Sequence, residues 1–291
     1  MRYGTPYQGS KSRIAKEIID ILPKGKRLVD LFGGGGAITH CALLSGKWDE
    51  ILYNDINPLP IQLFTDAVNG KLKSEHRVIT REMFNELKDS DPYVKYCWSF
   101  GNDGCGYLWG KDIEEIKVTA CHMLVDENLH DRYIAYKKFV KLICQIGKSR
   151  IDLQSLQSLQ SLQSLERLQS LERLQSLERL ERLETSNIDY HDYQFREGDI
   201  VYCDIPYEEK KKGKCRDYGL HFDNLEFYEW AKSREYQVFF SSYEISDENF
   251  YSIPIKEISQ LMGANSNGQK VTEYLYSNRP IEQNEQISFL N

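Results

Sequence analysis

The chain lacks any apolar stretch approaching about 18 residues, so its sequence offers no membrane-spanning helix. No apolar run follows Met1-Arg2-Tyr3-Gly4-Thr5-Pro6, which argues against a signal peptide. It has no Cys-x-x-Cys pair. Its seven cysteines are an odd set with no zinc-ligand spacing, and they read as reduced thiols of a cytoplasmic protein. Positive charge is not in excess: 37 Lys and Arg face 44 Asp and Glu, a net charge of −7. That balance excludes histone-like coating of nucleic acid by bulk charge, but not a local basic groove. What is present is ordinary globular composition, 41% hydrophobic and 28% charged, which excludes wholesale disorder. With 291 residues the chain can bury a core without a disulfide or metal staple.

Residues 10–22 predict a helix, capped by Ser10 or Ser12, with Ile14, Ile18, Ile21 and Leu22 on one face and Pro23 and Gly25 at its end. Arg27 to Phe32 is a short apolar strand that runs into four glycines, Gly33 to Gly36. A helix follows from Ala37 to Ser45, then a strand at Ile51-Leu52-Tyr53 that ends in Asn54-Asp55-Ile56-Asn57-Pro58. Strand, glycine loop, helix, strand and acidic residue make one βαβ unit. Residues 113–147 are mostly helical in pattern. Strand signals return at 199–203 and 236–241, with a helix at 224–233 between them and a last strand at 270–276.

A low-complexity array separates these halves. Every third residue from Leu153 to Leu183 is leucine, eleven in all, with Gln-Ser or Glu-Arg between. On a helix advancing about 100° per residue each leucine falls about 60° behind the last, so the stripe circles the helix. That makes a poor coiled-coil seam, which needs a period near 3.5. Helix, compact repeating coil and disorder all stay open for this segment, and no chemistry is assigned to it.

Two motifs carry chemistry. Asp30-Leu31-Phe32-Gly33-Gly34-Gly35-Gly36-Ala37 closes a strand and opens a helix. The third glycine of a G-x-G-x-x-G fingerprint is missing, and no P-loop Lys-Ser/Thr follows, which disfavours a pyrophosphate-bearing dinucleotide. Asp55, after the second strand, is placed to accept from a ribose. A phosphate-free adenosine ligand fits, and S-adenosylmethionine is the common one; a plain tight turn is the simpler alternative. The second motif is Val201-Tyr202-Cys203-Asp204-Ile205-Pro206-Tyr207, a strand ending in Asp-Ile-Pro-Tyr. A base's exocyclic amino group is a poor nucleophile, because its lone pair is delocalised into the ring. A carboxylate and a main-chain carbonyl can hold both amino hydrogens, and an aromatic face can stack on the base. Cys203 reads as strand packing.

These motifs resemble those of the Dam-like DNA adenine-N6 methyltransferases. The family's Asp-Pro-Pro-Tyr is similar to Asp204-Ile205-Pro206-Tyr207, with Ile205 as the main departure. Its glycine motif is matched by Asp30, Phe32, Gly34 and Gly36, with Leu31 in place of a proline. Its amino-terminal motif is matched by Tyr7-Gln8-Gly9-Ser10-Lys11, and its Asn-Asp-x-Asn by Asn54-Asp55-Ile56-Asn57. Weaker similarities lie at 222–231 and 270–278. The resemblance covers residues 1–70 and 195–280.

With the leucine array read as a leucine-rich repeat-like arm, the resemblance implies an α/β fold: a Rossmann-like S-adenosylmethionine-dependent methyltransferase sheet with an inserted, mostly helical target-recognition region. It divides the chain into a catalytic domain at 1–79 and 190–291, a target-recognition region at 80–152 and the Leu-Gln-Ser/Leu-Glu-Arg insertion at 153–184. It implies methyl transfer from S-adenosylmethionine to adenine N6 in double-stranded DNA, by direct in-line displacement after base flipping and without a metal. By the same resemblance Asp204, Pro206 and Tyr207 are catalytic: Asp204 accepts from the amino group and Tyr207 stacks on the base. Tyr7, Lys11, Asp30, Phe32, Gly34, Gly36, Asp55 and Asp204 bind the cofactor. Lys210, Lys211, Lys212, Lys214 and Arg216, directly after the catalytic loop, suit phosphate contacts. Trp98, Phe100, Tyr107 and Trp109, around a glycine-rich loop, are either DNA-inserting or core. The expected setting is a monomer in the cytoplasm of a bacterial or phage-infected cell; whether a restriction nuclease is its companion stays open. Cytosine-N4 methylation is the near alternative, although serine usually stands there in place of Asp204. A non-catalytic DNA- or adenosine-binding module and a nicotinamide oxidoreductase are the others.

Overall fold

A computed structural model describes residues 2–73, 75–146, 182–207, 222–259 and 270–282. The chain forms two compact units. The first takes Met1–Thr5, Gly9–Phe64 and Leu177–Asn291, and the second takes Pro6–Gln8 and Thr65–Ser176.

The first unit is built on a seven-stranded sheet: β1 (Arg27–Asp30), β2 (Glu50–Asn54), β3 (Leu183–Ser186), β4 (Asp199–Cys203), β5 (Val238–Ser242), β6 (Tyr251–Ser259) and β7 (Lys270–Ser277). The spatial order is β3-β2-β1-β4-β5-β7-β6. β1 pairs in parallel with β2 and with β4, whereas β7 runs antiparallel between β5 and β6. β1 and β5 are buried along their whole length, as strands covered on both faces must be. On one face Val29, Leu52, Val201, Val238 and Phe240 pack under Phe227, Tyr228 and Trp230 of a helix we label α8 (Asn224–Lys232). That helix is capped by Asp223, whose side chain accepts from the amides of Leu225 and Glu226. Also in this unit are α1 (Ala15–Ile21) and α2 (Ala37–Ser45), which pack against each other.

The expected helix over 10–22 is broken in two. Lys11–Arg13 is a single 3₁₀ turn, and α1 begins only after Ile14, whose ψ of 4° departs from the helical value. Neither serine caps it. The Ser12 hydroxyl accepts from the amide of Tyr3 at 2.7 Å instead. Two strands went unread. β3 is four residues long and mostly polar, and it takes in Leu183 and Glu184 at the end of the leucine array. β6 carries Pro254 and a register shift beside it.

The second unit contains α4 (Arg81–Leu87), α5 (Pro92–Cys97), α6 (Lys111–Val125) and α7 (Leu129–Ile146); α3 (Pro58–Val68) runs across the division between the units. Asp91 caps α5 by accepting from the amide of Val94 at 3.1 Å, and Pro92 fills the first helical position. Trp98, Tyr107 and Trp109 are buried, packed edge to face with ring centroids 5.6 and 5.8 Å apart. Of the four aromatics in this segment, three are therefore core. Phe100 stands apart at 70% exposure, beside Gly101 and Asn102 in left-handed backbone.

Candidate active site

β1 and β4 are neighbours, and their connections run to opposite sides of the sheet: β1 leads to β2, β4 leads to β5. This is the switch point of an open α/β sheet, where ligands bind beyond the carboxyl ends of the strands. Three carboxylates gather there, from Asp30 at the end of β1, Asp55 just after β2 and Asp204 just after β4.

The glycine loop is shaped by its neighbours. A Cβ at Gly33 would lie 2.2 Å from the ring of Tyr53, and one at Gly36 would lie 2.5 Å from the ring of Phe64. Gly36 also takes φ +68°, which an L side chain resists, where α2 begins. Asp55 fastens the loop from the side. Its Oδ2 accepts from the amide of Gly34 and its Oδ1 from the amide of Asn57, each at 2.8 Å. Burial pushes the Asp55 carboxyl up to about 6. Asp30 is fully buried. Its Oδ2 accepts from the amide of Thr39 at 3.1 Å and from the Thr39 hydroxyl at 2.6 Å, while Oδ1 has no hydrogen-bond partner. Burial raises this carboxyl to about 7.

Asp204 belongs to a cluster drawn from three distant parts of the sequence. Lys11 Nζ donates to Asp204 Oδ1, and to the Tyr207 hydroxyl at 2.7 Å. The Tyr207 hydroxyl in turn donates to Glu273 Oε1 on β7 at 2.6 Å, and that oxygen lies 3.5 Å from Lys11 Nζ. The Lys11 and Glu273 side chains are 5% and 1% exposed, against 21% for Asp204. Asp204 is therefore the member of this ion cluster that reaches solvent. Burial raises its carboxyl to about 6, and Lys11 pulls the other way. Burial alone would lower the Lys11 ammonium, but Asp204, Tyr207 and Glu273 outweigh it and hold the lysine charged.

The rest of the motif is held from outside. The Pro206 carbonyl accepts from Asn224 Nδ2 at 2.8 Å, which ties the loop to the start of α8. The ring of Tyr207 lies 4.5 Å from that of Tyr243, inclined at 44°. Cys203 is buried in the core under α8.

The remaining expected residues lie as follows. Phe32 packs on Tyr190, Phe222 and Phe227, with centroids 5.4 to 5.9 Å away. Gly34 has φ +48°. Tyr7 falls in the second unit, its ring 5.3 Å from that of Tyr96. Lys210, Lys211, Lys212, Lys214 and Arg216 lie outside the described residues, as does the leucine array up to residue 181. Among the described residues there is no metal-ligating cluster and no helix long and apolar enough to cross a membrane. Glu273 was missed, because a carboxylate in a strand reads as the polar half of an alternation. Its signal was its place in Val271-Thr272-Glu273-Tyr274-Leu275, where it is 1% exposed.

No curated protein matches the chain. A family model described as D12 class N6 adenine-specific DNA methyltransferase matches residues 7–228, a span that takes in Lys11, the glycine loop, Asp55 and the whole Asp204–Tyr207 turn. The chain belongs to this family of adenine-specific DNA methyltransferases.

Proposed function

We propose that the crevice beyond β1 and β4 binds S-adenosylmethionine and that Asp204 presents to it the N6 amino group of an adenine flipped out of double-stranded DNA. The observation that carries this reading is the charge of the crevice. Among the described residues, Asp30, Asp55 and Asp204 meet there with one lysine, Lys11. A pyrophosphate is repelled by such a set, whereas a ligand with a sulfonium and an ammonium is attracted. The unpartnered Oδ1 of Asp30 is a buried acceptor suited to the ligand's amino-acid end. Asp55 accepts from a ribose with the lone pairs that Gly34 and Asn57 leave free. Gly34, Gly36 and Phe32 shape the loop around the ligand, and Lys11 is the cation beside it.

When bound, S-adenosylmethionine supplies an electrophilic methyl for direct in-line displacement. The protein's part is orientation. Lys11 donates to Asp204 Oδ1, which assigns Oδ2 to the amino group. The main-chain carbonyl of Ile205 takes the second amino hydrogen, in a turn stiffened by Pro206. Tyr207, held at its hydroxyl by Lys11 and Glu273, offers its ring to the base. Positioning of this kind can lower a barrier by about 7–11 kcal/mol. The basic run from Lys210 to Arg216 follows the loop directly in sequence and suits the phosphates of the displaced strand. Incubation with labelled S-adenosylmethionine and unmethylated duplex, followed by nucleoside analysis, tests the reading. N6-methyladenine is expected. Label in N4-methylcytosine, or none in DNA, overturns it.

A further inference from the structure

Glu273 is the member of the Lys11 cluster that no motif accounts for. We propose that Glu273 is a positioning residue for the Asp204–Tyr207 turn, setting the Tyr207 ring and sharing Lys11 with Asp204. This rests on the methyl-transfer reading above.

A carboxylate at 1% exposure is costly unless it is paired and hydrogen-bonded. Glu273 is both, and its partners are parts of the candidate site. The Tyr207 hydroxyl is gripped from two sides, by Lys11 Nζ at 2.7 Å and Glu273 Oε1 at 2.6 Å. Lys11 Nζ also lies 4.6 Å from the centroid of the Tyr207 ring. A tyrosine held at its hydroxyl this way keeps one ring plane before any base arrives. The same glutamate sets the charge balance. Two carboxylates share one ammonium, so Lys11 cannot neutralise Asp204 completely. Facing Asp204 are Lys11 from the 3₁₀ turn, Glu273 from β7, Tyr202 from β4, Tyr207 from its own turn, Asp30 from β1 and Asp55 from the end of β2. Of these, Glu273 is the carboxylate that also contacts the lysine.

The two roles separate in two variants. Glu273→Gln keeps an acceptor for the Tyr207 hydroxyl but removes the charge. Glu273→Leu removes both. Glu273 raises the proton affinity of Asp204, so the acidic limb of the kcat–pH profile should move to lower pH in Glu273→Gln, by about half a unit to one unit. Glu273→Leu should lose about tenfold or more in kcat through the misplaced ring, at unchanged S-adenosylmethionine affinity. Thermal midpoints report folding. If the Leu variant does not fold, the Gln pH profile decides alone. An unshifted acidic limb in Glu273→Gln overturns the proposal, and so does a Leu variant that folds and turns over normally. A wild-type chain that methylates no DNA overturns the methyl-transfer reading itself, an outcome distinct from an active wild type with silent Glu273 variants.

Discussion

The amide of Gly34 donates to Asp55 Oδ2 at 2.8 Å, and with the bond from the Gly33 amide to the Asn54 carbonyl it ties the glycine loop after β1 to the acidic turn after β2. Asp55 therefore shapes the loop besides the ribose contact proposed for it. Asp55→Ala should weaken S-adenosylmethionine binding by about 1.5–3 kcal/mol, the range for a hydrogen bond to a charged group. Calorimetric titration checks this, and an unchanged affinity would reduce Asp55 to a purely structural residue.

Asp204→Ala should abolish methyl transfer, by about 10²-fold or more, since an oriented acceptor is lost from the reacting group. Cofactor affinity should stay within a few-fold. The fold should tolerate the change, because Lys11 keeps Glu273 and Tyr207 as partners. Near wild-type turnover by this variant would sink the assignment.

The buried carboxyl of Asp30 gives a pH signature. Its folded-state value, about 7, lies above the ordinary 3.8. The folded protein therefore holds this proton more tightly than the unfolded chain does. The stabilisation is fully present below about pH 4 and is lost as pH rises through about 7. Asp30→Asn cannot ionise, so its thermal midpoint relative to wild type should climb between pH 4 and 7 and level off above. A difference that is flat across that window, or that falls, contradicts the burial of a protonatable group at this position.

Gly33→Ala should destabilise the first unit by about 1–3 kcal/mol, the cost of overpacking a filled site. The clash is with the Tyr53 ring, 2.2 Å from the added carbon. Tyr53→Leu introduced beside it should recover part of the loss. Denaturant midpoints of the three proteins decide; an alanine variant as stable as wild type would show that the loop opens freely.

Phe100, exposed in a loop of left-handed residues, is suited to filling the gap left by an extruded base. Phe100→Ala should leave stability unchanged but slow methylation of fully paired duplex more than of duplex mismatched at the target adenine. Equal loss on both substrates would argue against wedging.

Sequence reading succeeded where the structure is local. The stretch from Arg27 to Asn57 shows its strand, glycine loop, helix and acidic turn within some thirty consecutive positions, and α2 spans Ala37–Ser45 as its pattern predicts. It failed where distant partners override local preference. Lys11 and Asp204 stand 193 positions apart, so their pairing has no local trace in the sequence. Glu273 was hidden for the same reason. The alternation around it fits a half-exposed strand, and only the lysine and tyrosine brought against it make burial tolerable. β3 escaped because a four-residue edge strand with three polar residues and one leucine has no apolar face to announce it.

The placement of β7 bears on the order in which a ribosome can deliver a finished enzyme. β6 emerges before β7 and, among the described residues, pairs in the sheet with β7 alone, while the outer edge of β5 takes the same strand. A nascent chain that has already made the glycine loop, the acidic turn and Asp204 still lacks the acceptor for Tyr207 and the second carboxylate on Lys11. The strand at 270–277 supplies both the pairing partner of β5 and β6 and the Glu273 carboxylate. A chain ended upstream of that strand has Lys11 and the Asp204–Tyr207 turn but not the Glu273 acceptor for the Tyr207 hydroxyl.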